Sequence, residues 1–249
     1  MKRNPLNLLF ATMVGLTLSS NGATLFTEDF SGNTAGPNLT LGSAYGSPTT
    51  SFASSDFTIT SGEGSRIYLG TNDADYNTID FVFTATVTLP NNTSPWSLPF
   101  FGMGTPTARG DAYGEPTLNQ YLLMGYRADD KQFQERNNAG TNGPISSAFA
   151  VEPLAGFTHK IRMEWNATTK TAIFTFDAFN DGILNGPSDF TFSRDATANG
   201  FTSTASQLFV GGGNGLTFDN VTVAPVVPEP GSVVLLGLGL TAIGWRRRR

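Results

Sequence analysis

The 249-residue chain has no cysteine and one histidine, His159. Lack of cysteine excludes a disulfide framework, and with a single histidine it also excludes the ordinary structural zinc sites built from four Cys and His ligands. The core must therefore be stable without covalent or zinc cross-links. A Ser-His-Asp triad would have only His159 as its base, and that residue sits beside Lys160 with no nucleophile-elbow pattern nearby. Between the two ends of the chain Leu, Lys and Glu are scarce, whereas Gly, Thr, Ser, Asn and Phe abound, with 28 Gly and 20 Phe overall. That balance disfavours helix and favours strands joined by turns.

Long apolar runs are missing from the middle and confined to the ends. Lys2 and Arg3 precede an apolar stretch from Leu8 to Leu18, followed by Ser19-Ser20-Asn21-Gly22-Ala23. A basic start, a short apolar region and small residues near a cleavage point predict a secretory signal peptide over residues 1–23. Eleven apolar-region residues are too few for a normal membrane span. At the other end Pro228-Glu229-Pro230 is followed by an uncharged run from Gly231 to Gly244, then Trp245 and the four arginines Arg246, Arg247, Arg248 and Arg249. A helix of 20 residues from Val226 to Trp245 would be about 30 Å long, the thickness of a hydrocarbon core. One C-terminal transmembrane helix is therefore expected within segment 225–249, its arginines on the cytoplasmic side. The two prolines keep the Pro-Glu-Pro stretch extended.

This tail resembles the PEP-CTERM sorting signal of Gram-negative, exopolysaccharide-producing bacteria, through Pro228, Glu229, Pro230, the apolar run and the arginine cluster. The resemblance implies that these residues are recognised by a membrane exosortase, with cleavage near the motif and delivery to the cell surface or extracellular matrix. The partners it implies are the exosortase, the secretion machinery and, before processing, the membrane through the C-terminal helix. The expected path is export, a transient stay at the inner membrane, and then the outer surface or matrix.

Residues 24–224 remain as one domain of about 200 residues, ample for a sizeable core. Lys2, Arg3 and the four terminal arginines against Glu229 give the ends a net +5, so the middle carries −10 where the whole chain carries −5. An acidic middle argues against nucleic acid as a partner and is compatible with divalent cations. Ile79, Phe81, Phe83, Ala85, Val87 and Leu89 alternate with Asp80, Thr84, Thr86 and Thr88, which predicts a half-buried strand. Ile161, Met163 and Trp165 alternate with polar residues, as do Ala172, Phe174 and Phe176 after a turn at Ala167 to Lys170, which predicts a hairpin. A change of apolar parity between Phe218 and Val221 predicts a bulge near Asp219-Asn220. Roughly eleven strands and no amphipathic helix predict an all-β fold of two packed antiparallel sheets. The first strand, Leu25 to Phe30, and the last, Gly215 to Val223, resemble the ends of concanavalin-like and laminin-G-like jelly rolls. That resemblance implies a jelly-roll sandwich in which the terminal strands pair.

Chemistry is thin in the middle. Jelly-roll glucanases carry alternating Glu-x-Asp-x-Glu carboxylates on one strand, and Glu164 stands without such partners. No enzymatic activity is expected; a divergent glycan-processing enzyme on the same fold is the alternative reading, and a purely structural module the third. Oxygen-rich loops suggest calcium. Asp73, Asp75 and Asn77 stand at alternate positions like the start of an EF-hand loop, although Thr78 occupies the glycine position and the twelfth position is not Glu; Asp177, Asn180 and Asp181 precede Gly182 in a second loop. Exposed aromatics beside polar groups would suit a polysaccharide ligand, and Trp96, Tyr113 and Tyr126 are the candidate contacts. The sequence thus predicts an exported, non-enzymatic surface or matrix protein, sorted through its tail, with a carbohydrate-binding jelly roll.

Overall fold

The computed structural model describes residues 23, 25–42, 46–60, 64–91, 99–104, 121–127, 132–137, 143–144, 156–178, 180–182, 184, 189–197 and 205–226. Among them the chain forms fifteen strands: β1 (Phe26–Glu28), β2 (Leu39–Leu41), β3 (Thr49–Ser51), β4 (Phe57–Thr60), β5 (Ile67–Thr71), β6 (Phe81–Thr88), β7 (Pro99–Gly104), β8 (Tyr121–Arg127), β9 (Gln132–Asn137), β10 (Gly143–Pro144), β11 (Thr158–Asn166), β12 (Thr171–Phe176), β13 (Phe190–Asp195), β14 (Gln207–Gly212) and β15 (Thr217–Pro225). They build two antiparallel sheets. Sheet A runs β13-β12-β11-β6-β15-β4-β3, with β1 also paired to β15; sheet B runs β10-β9-β8-β7-β14-β5-β2. The two-sheet antiparallel sandwich read from composition and periodicity is the observed architecture.

The alternation in β6 does what period two requires. Phe81, Phe83, Ala85 and Val87 are buried, and the residues between them face outward. The hairpin is present, with Ile161 opposite Phe176 and Trp165 opposite Ala172. The terminal strands pair as the jelly-roll resemblance implies, Phe26 opposite Val223 and Glu28 opposite Val221. Strand β15 shifts register against β6 between Asp219 and Thr222, and Asn220 takes up the left-handed conformation at φ 51°. This is the bulge marked by the parity change, and Asn tolerates that conformation better than most residues.

Between the sheets lies one core. Phe101 meets Phe174 edge-on at 5.5 Å, and Phe133 stacks on Phe190 at 4.3 Å with only 7° between the rings. Trp165 is fully buried there, as its apolar face predicts. The outer face of sheet B carries a second arrangement that periodicity does not reveal. Tyr68, Phe100, Leu123 and Phe209 form a separate buried cluster. Each of these four is paired across the ladder with glycine. Phe209 stands opposite Gly70 and Gly102, Gly211 opposite Tyr68 and Phe100, Gly125 opposite Phe100, and Gly102 opposite Leu123. Large and absent side chains thus alternate along and across four strands. A Cβ on Gly125 would overlap the Phe100 ring, and one on Gly211 would overlap the Ile67 carbonyl. The rings lie down over the glycines and fill the space a side chain would take.

One expectation is corrected. No helix among the described residues is long and apolar enough to cross a membrane. The helical elements there are two 3-10 turns of three residues, Ala53–Ser55 and Tyr76–Thr78, against the roughly 20 residues a span requires. Segment 225–249 begins as strand, since β15 stays paired through Pro225. The transmembrane helix is therefore withdrawn, together with the membrane as a partner and the transient inner-membrane stay. Residues 227–249, most of the signal peptide, Trp96 and Tyr113 lie outside the described residues.

Candidate functional site

Strand β12 ends at Phe176 opposite Phe190 of β13. Continuing that register by one residue sets Asp177 opposite Asp189, although eleven residues separate them in sequence. The loop between them begins with a tight turn. Asp181 N–H donates to Asp177 Oδ1 at 3.2 Å and Gly182 N–H to Asp177 Oδ2 at 2.9 Å. Asn180 at φ 55° and Gly182 at φ 76° supply the left-handed backbone that the turn needs. The result is a cluster in which one carboxylate oxygen from each of Asp177, Asp181 and Asp189 lies within 4.8 Å of the others. Asp177 is buried, Asp189 half-buried and Asp181 exposed.

Two side chains brace this loop without entering the cluster. Lys160 Nζ donates to the Gly182 carbonyl at 2.9 Å. His159, wholly buried and stacked on Phe176 at 5.3 Å, has Nδ1 2.8 Å from the Asp177 carbonyl oxygen. A carbonyl oxygen only accepts, so Nδ1 carries the proton. Three carboxylates that close repel one another, and a divalent ion that prefers oxygen is the group whose binding offsets the repulsion. Asp177, Asp181 and Asp189 can coordinate an ion such as calcium; the remaining ligands of a six- to eight-oxygen shell would be carbonyls and water.

Beside the loop a 270 Å³ cleft opens on the outer face of sheet A, lined by Thr84, Thr86, Lys160, Leu184, Asn220 and Thr222. Its hydroxyls, amide and ammonium group are the functional groups that hold a polyhydroxylated ligand. Beneath the bulge at its edge, partial burial and, more weakly, the charges of Asp56 and Asp29 push the pKa of the Asp219 carboxyl above its usual value, against a backbone hydrogen bond from Asn220.

Of the residues singled out in the sequence, Asp177, Asn180 and Asp181 do share one loop, with Asp177 and Asp181 both in the cluster. Asp189 escaped notice because only the hairpin register brings it back; a reading that paired β12 with β13 would have found it. Asp73, Asp75 and Asn77 form a different structure. Asp75 O accepts from the N–H of Thr78 at 3.0 Å and closes a 3-10 turn, and Asn77 is buried with its carbonyl bound by Lys170 Nζ at 3.1 Å. Tyr126 lies in the core at 2% exposure, between Phe133 and Phe176, and has no surface to offer a sugar.

Solved structures similar to this one include plant lectins. The winged bean acidic lectin complexed with methyl-alpha-D-galactose superposes with a TM-score of 0.57 at 12% identity, covering 80% of this chain and 96% of that one. The Lotus tetragonolobus seed lectin gives 0.58 at 9% identity, covering 83% and 100%. Lectin II from Ulex europaeus gives 0.56 at 11% identity, covering 81% and 97%. Identities so low establish the fold alone. Residues 226–249 match the PEP-CTERM protein-sorting motif. No curated protein matches the chain.

Proposed function

We propose that this chain, with a lectin-like jelly roll and a PEP-CTERM-type tail, is an exported surface or matrix protein that binds carbohydrate with the help of a divalent cation. It is not an enzyme. Its tail is the segment read by an exosortase-type partner, with Pro228, Glu229, Pro230 and Arg246 to Arg249 as the recognised residues. Ala23 packs in the core, which favours removal of the signal peptide on its N-terminal side.

The observation that carries the binding reading is the carboxylate cluster of Asp177, Asp181 and Asp189 on the loop that also lends Leu184 to the polar cleft. A cation there would stiffen the loop, and the loop in turn forms one wall of the cleft. Trp96 remains a proposed ligand contact. Two carboxylates, Asp80 and Glu164, do line a common cleft elsewhere on sheet A. Both have structural partners: Asp80 accepts from Ala167 N–H at 2.7 Å, and Glu164 is ion-paired with Arg162. They give the glycan-processing alternative no support.

The test is a glycan-array measurement on the full chain with calcium and again with a chelator. Binding that disappears with the chelator supports the reading. Binding that persists unchanged removes the cation from it, and absence of binding under both conditions leaves the structural-module reading in its place. Loss on Trp96→Ala would support that contact, and unchanged binding would refute it.

A further inference from the structure

A second cleft, of 320 Å³, lies on the outer face of sheet A where the chain leaves the domain. Its lining includes Ile173, Val226, Asp80, Glu164, Asn166 and Thr171. Ile173 and Val226 are 37% and 40% exposed, two large apolar side chains facing solvent at one spot. The cleft thus combines apolar side chains with the two carboxylates of Asp80 and Glu164. Val226 is also the first residue of the PEP-CTERM match and follows directly on β15, which stays paired to β6 up to Pro225 opposite Phe81.

That adjacency fixes what any tail-reading enzyme must touch. At about 3.5 Å per extended residue, Pro228 lies within ~7 Å of Val226 and Pro230 within ~14 Å. An interface between the transient and the standard size covers about 600 Å² on each partner, a footprint roughly 25 Å across. A footprint of that width centred on the motif cannot stop short of the domain. It spreads past Val226 onto the sheet, and the surface it meets is this cleft. We propose that this corner of sheet A is the docking surface for the enzyme that processes the tail, whose complementary face is apolar with basic residues around it. The inference rests on the sorting reading of the tail. Recognition is then a property of a folded domain plus a motif, and a motif displaced from the domain is read differently from one held against it.

The experiment follows processing of the full chain in a Gram-negative host that carries an exosortase-type enzyme, by intact mass and by the rate at which the unprocessed form disappears. Ile173→Lys, an outward-facing change, slows processing about tenfold, the effect of losing one well-placed interface residue. A flexible Gly/Ser spacer inserted between Val226 and Val227 slows the unaltered chain by a similar factor and slows Ile173→Lys no further, because each change removes the same contact. Thermal unfolding checks that the variant folds, and Thr171→Lys replaces it if it does not. Normal processing of the folded variants overturns the docking surface, and so does a spacer that leaves the unaltered chain at its normal rate. Glu229→Ala serves as the separate control. If it is processed like the unaltered chain, the sorting reading itself fails; if it is not, failure of Ile173→Lys to slow processing counts against the docking surface alone.

Discussion

His159 donates a hydrogen bond to the backbone carbonyl of Asp177, the residue whose carboxylate anchors the acidic loop. The chain's one histidine is therefore a brace in the interior, stacked on Phe176, and the residue it holds belongs to the candidate cation site.

Replacing it tests the brace. His159→Phe keeps a ring against Phe176 and leaves the Asp177 carbonyl without its donor. The expected loss is about 1–3 kcal/mol of unfolding free energy, the cost of stranding a buried acceptor. Urea unfolding measures it, and the calcium midpoint of the same variant should move to higher concentration. An unchanged urea midpoint would show the bond contributes nothing.

Calcium should stabilise the folded chain. At a concentration one hundred times the dissociation constant the gain is about 2.7 kcal/mol, or roughly 5–10 °C in melting temperature for a domain of this size. Asp181→Asn and Asp189→Asn each remove a charge from the cluster and should abolish most of that rise, while Asp73→Asn should leave it intact. Differential scanning calorimetry with calcium and with chelator gives the comparison. A rise that survives in both cluster variants places the ion elsewhere.

The glycines of sheet B should resist substitution. In Gly125→Ala the new methyl group meets the Phe100 ring, which can tilt away; in Gly211→Ala it meets the Ile67 backbone, which cannot. The expected cost is about 1–3 kcal/mol for Gly125→Ala and more for Gly211→Ala, as overpacking of a filled site predicts. Denaturant midpoints rank the two. The opposite order would mean the ring is the more rigid neighbour.

Asp219 should hold its proton to higher pH than a free aspartate. Burial raises its folded-state pKa above the ordinary 3.8. From 3.8 up to the folded midpoint the unfolded chain has released this proton while the native state retains it, so the group's contribution to stability falls as pH rises through that window and stays unfavourable above it. A carbon-detected NMR titration of the carboxyl group reads the midpoint directly. A midpoint at or below 3.8 contradicts the desolvation of the half-buried carboxyl.

Much of sheet A was legible in the sequence because one of its faces is core and the other solvent. Strand β6 and the hairpin of β11 and β12 announce themselves by alternation, and the bulge at Asn220 by its interruption. Sheet B is harder, because its central strands β5, β7, β8 and β14 are buried on both faces. The run Pro99-Phe100-Phe101-Gly102-Met103-Gly104 is buried at every position and shows no period-two contrast in polarity. The meaning of its glycines emerges only when four strands are laid in register. Strands β2, β3 and β10, two or three residues each, are too short to carry a pattern. The candidate site was half legible. Asp177 and Asp181 are local, whereas Asp189 is brought in by strand pairing. Tyr126 was misjudged because an aromatic in a half-polar stretch reads the same whether its ring points inward or outward.

Strand β15 is both the last of the described strands and an interior strand of sheet A, flanked by β6 on one side and by β1 and β4 on the other. This order has a consequence in time. A chain delivered from its N-terminus cannot close sheet A until residue 225 has emerged, because the strand that bridges the first pairings to the central ones arrives last. Until then β1 has no neighbour, and long-range pairings of this kind form slowly. A polypeptide threaded out in that order would stay open in transit, and the domain would complete itself only as residues 226–249 followed.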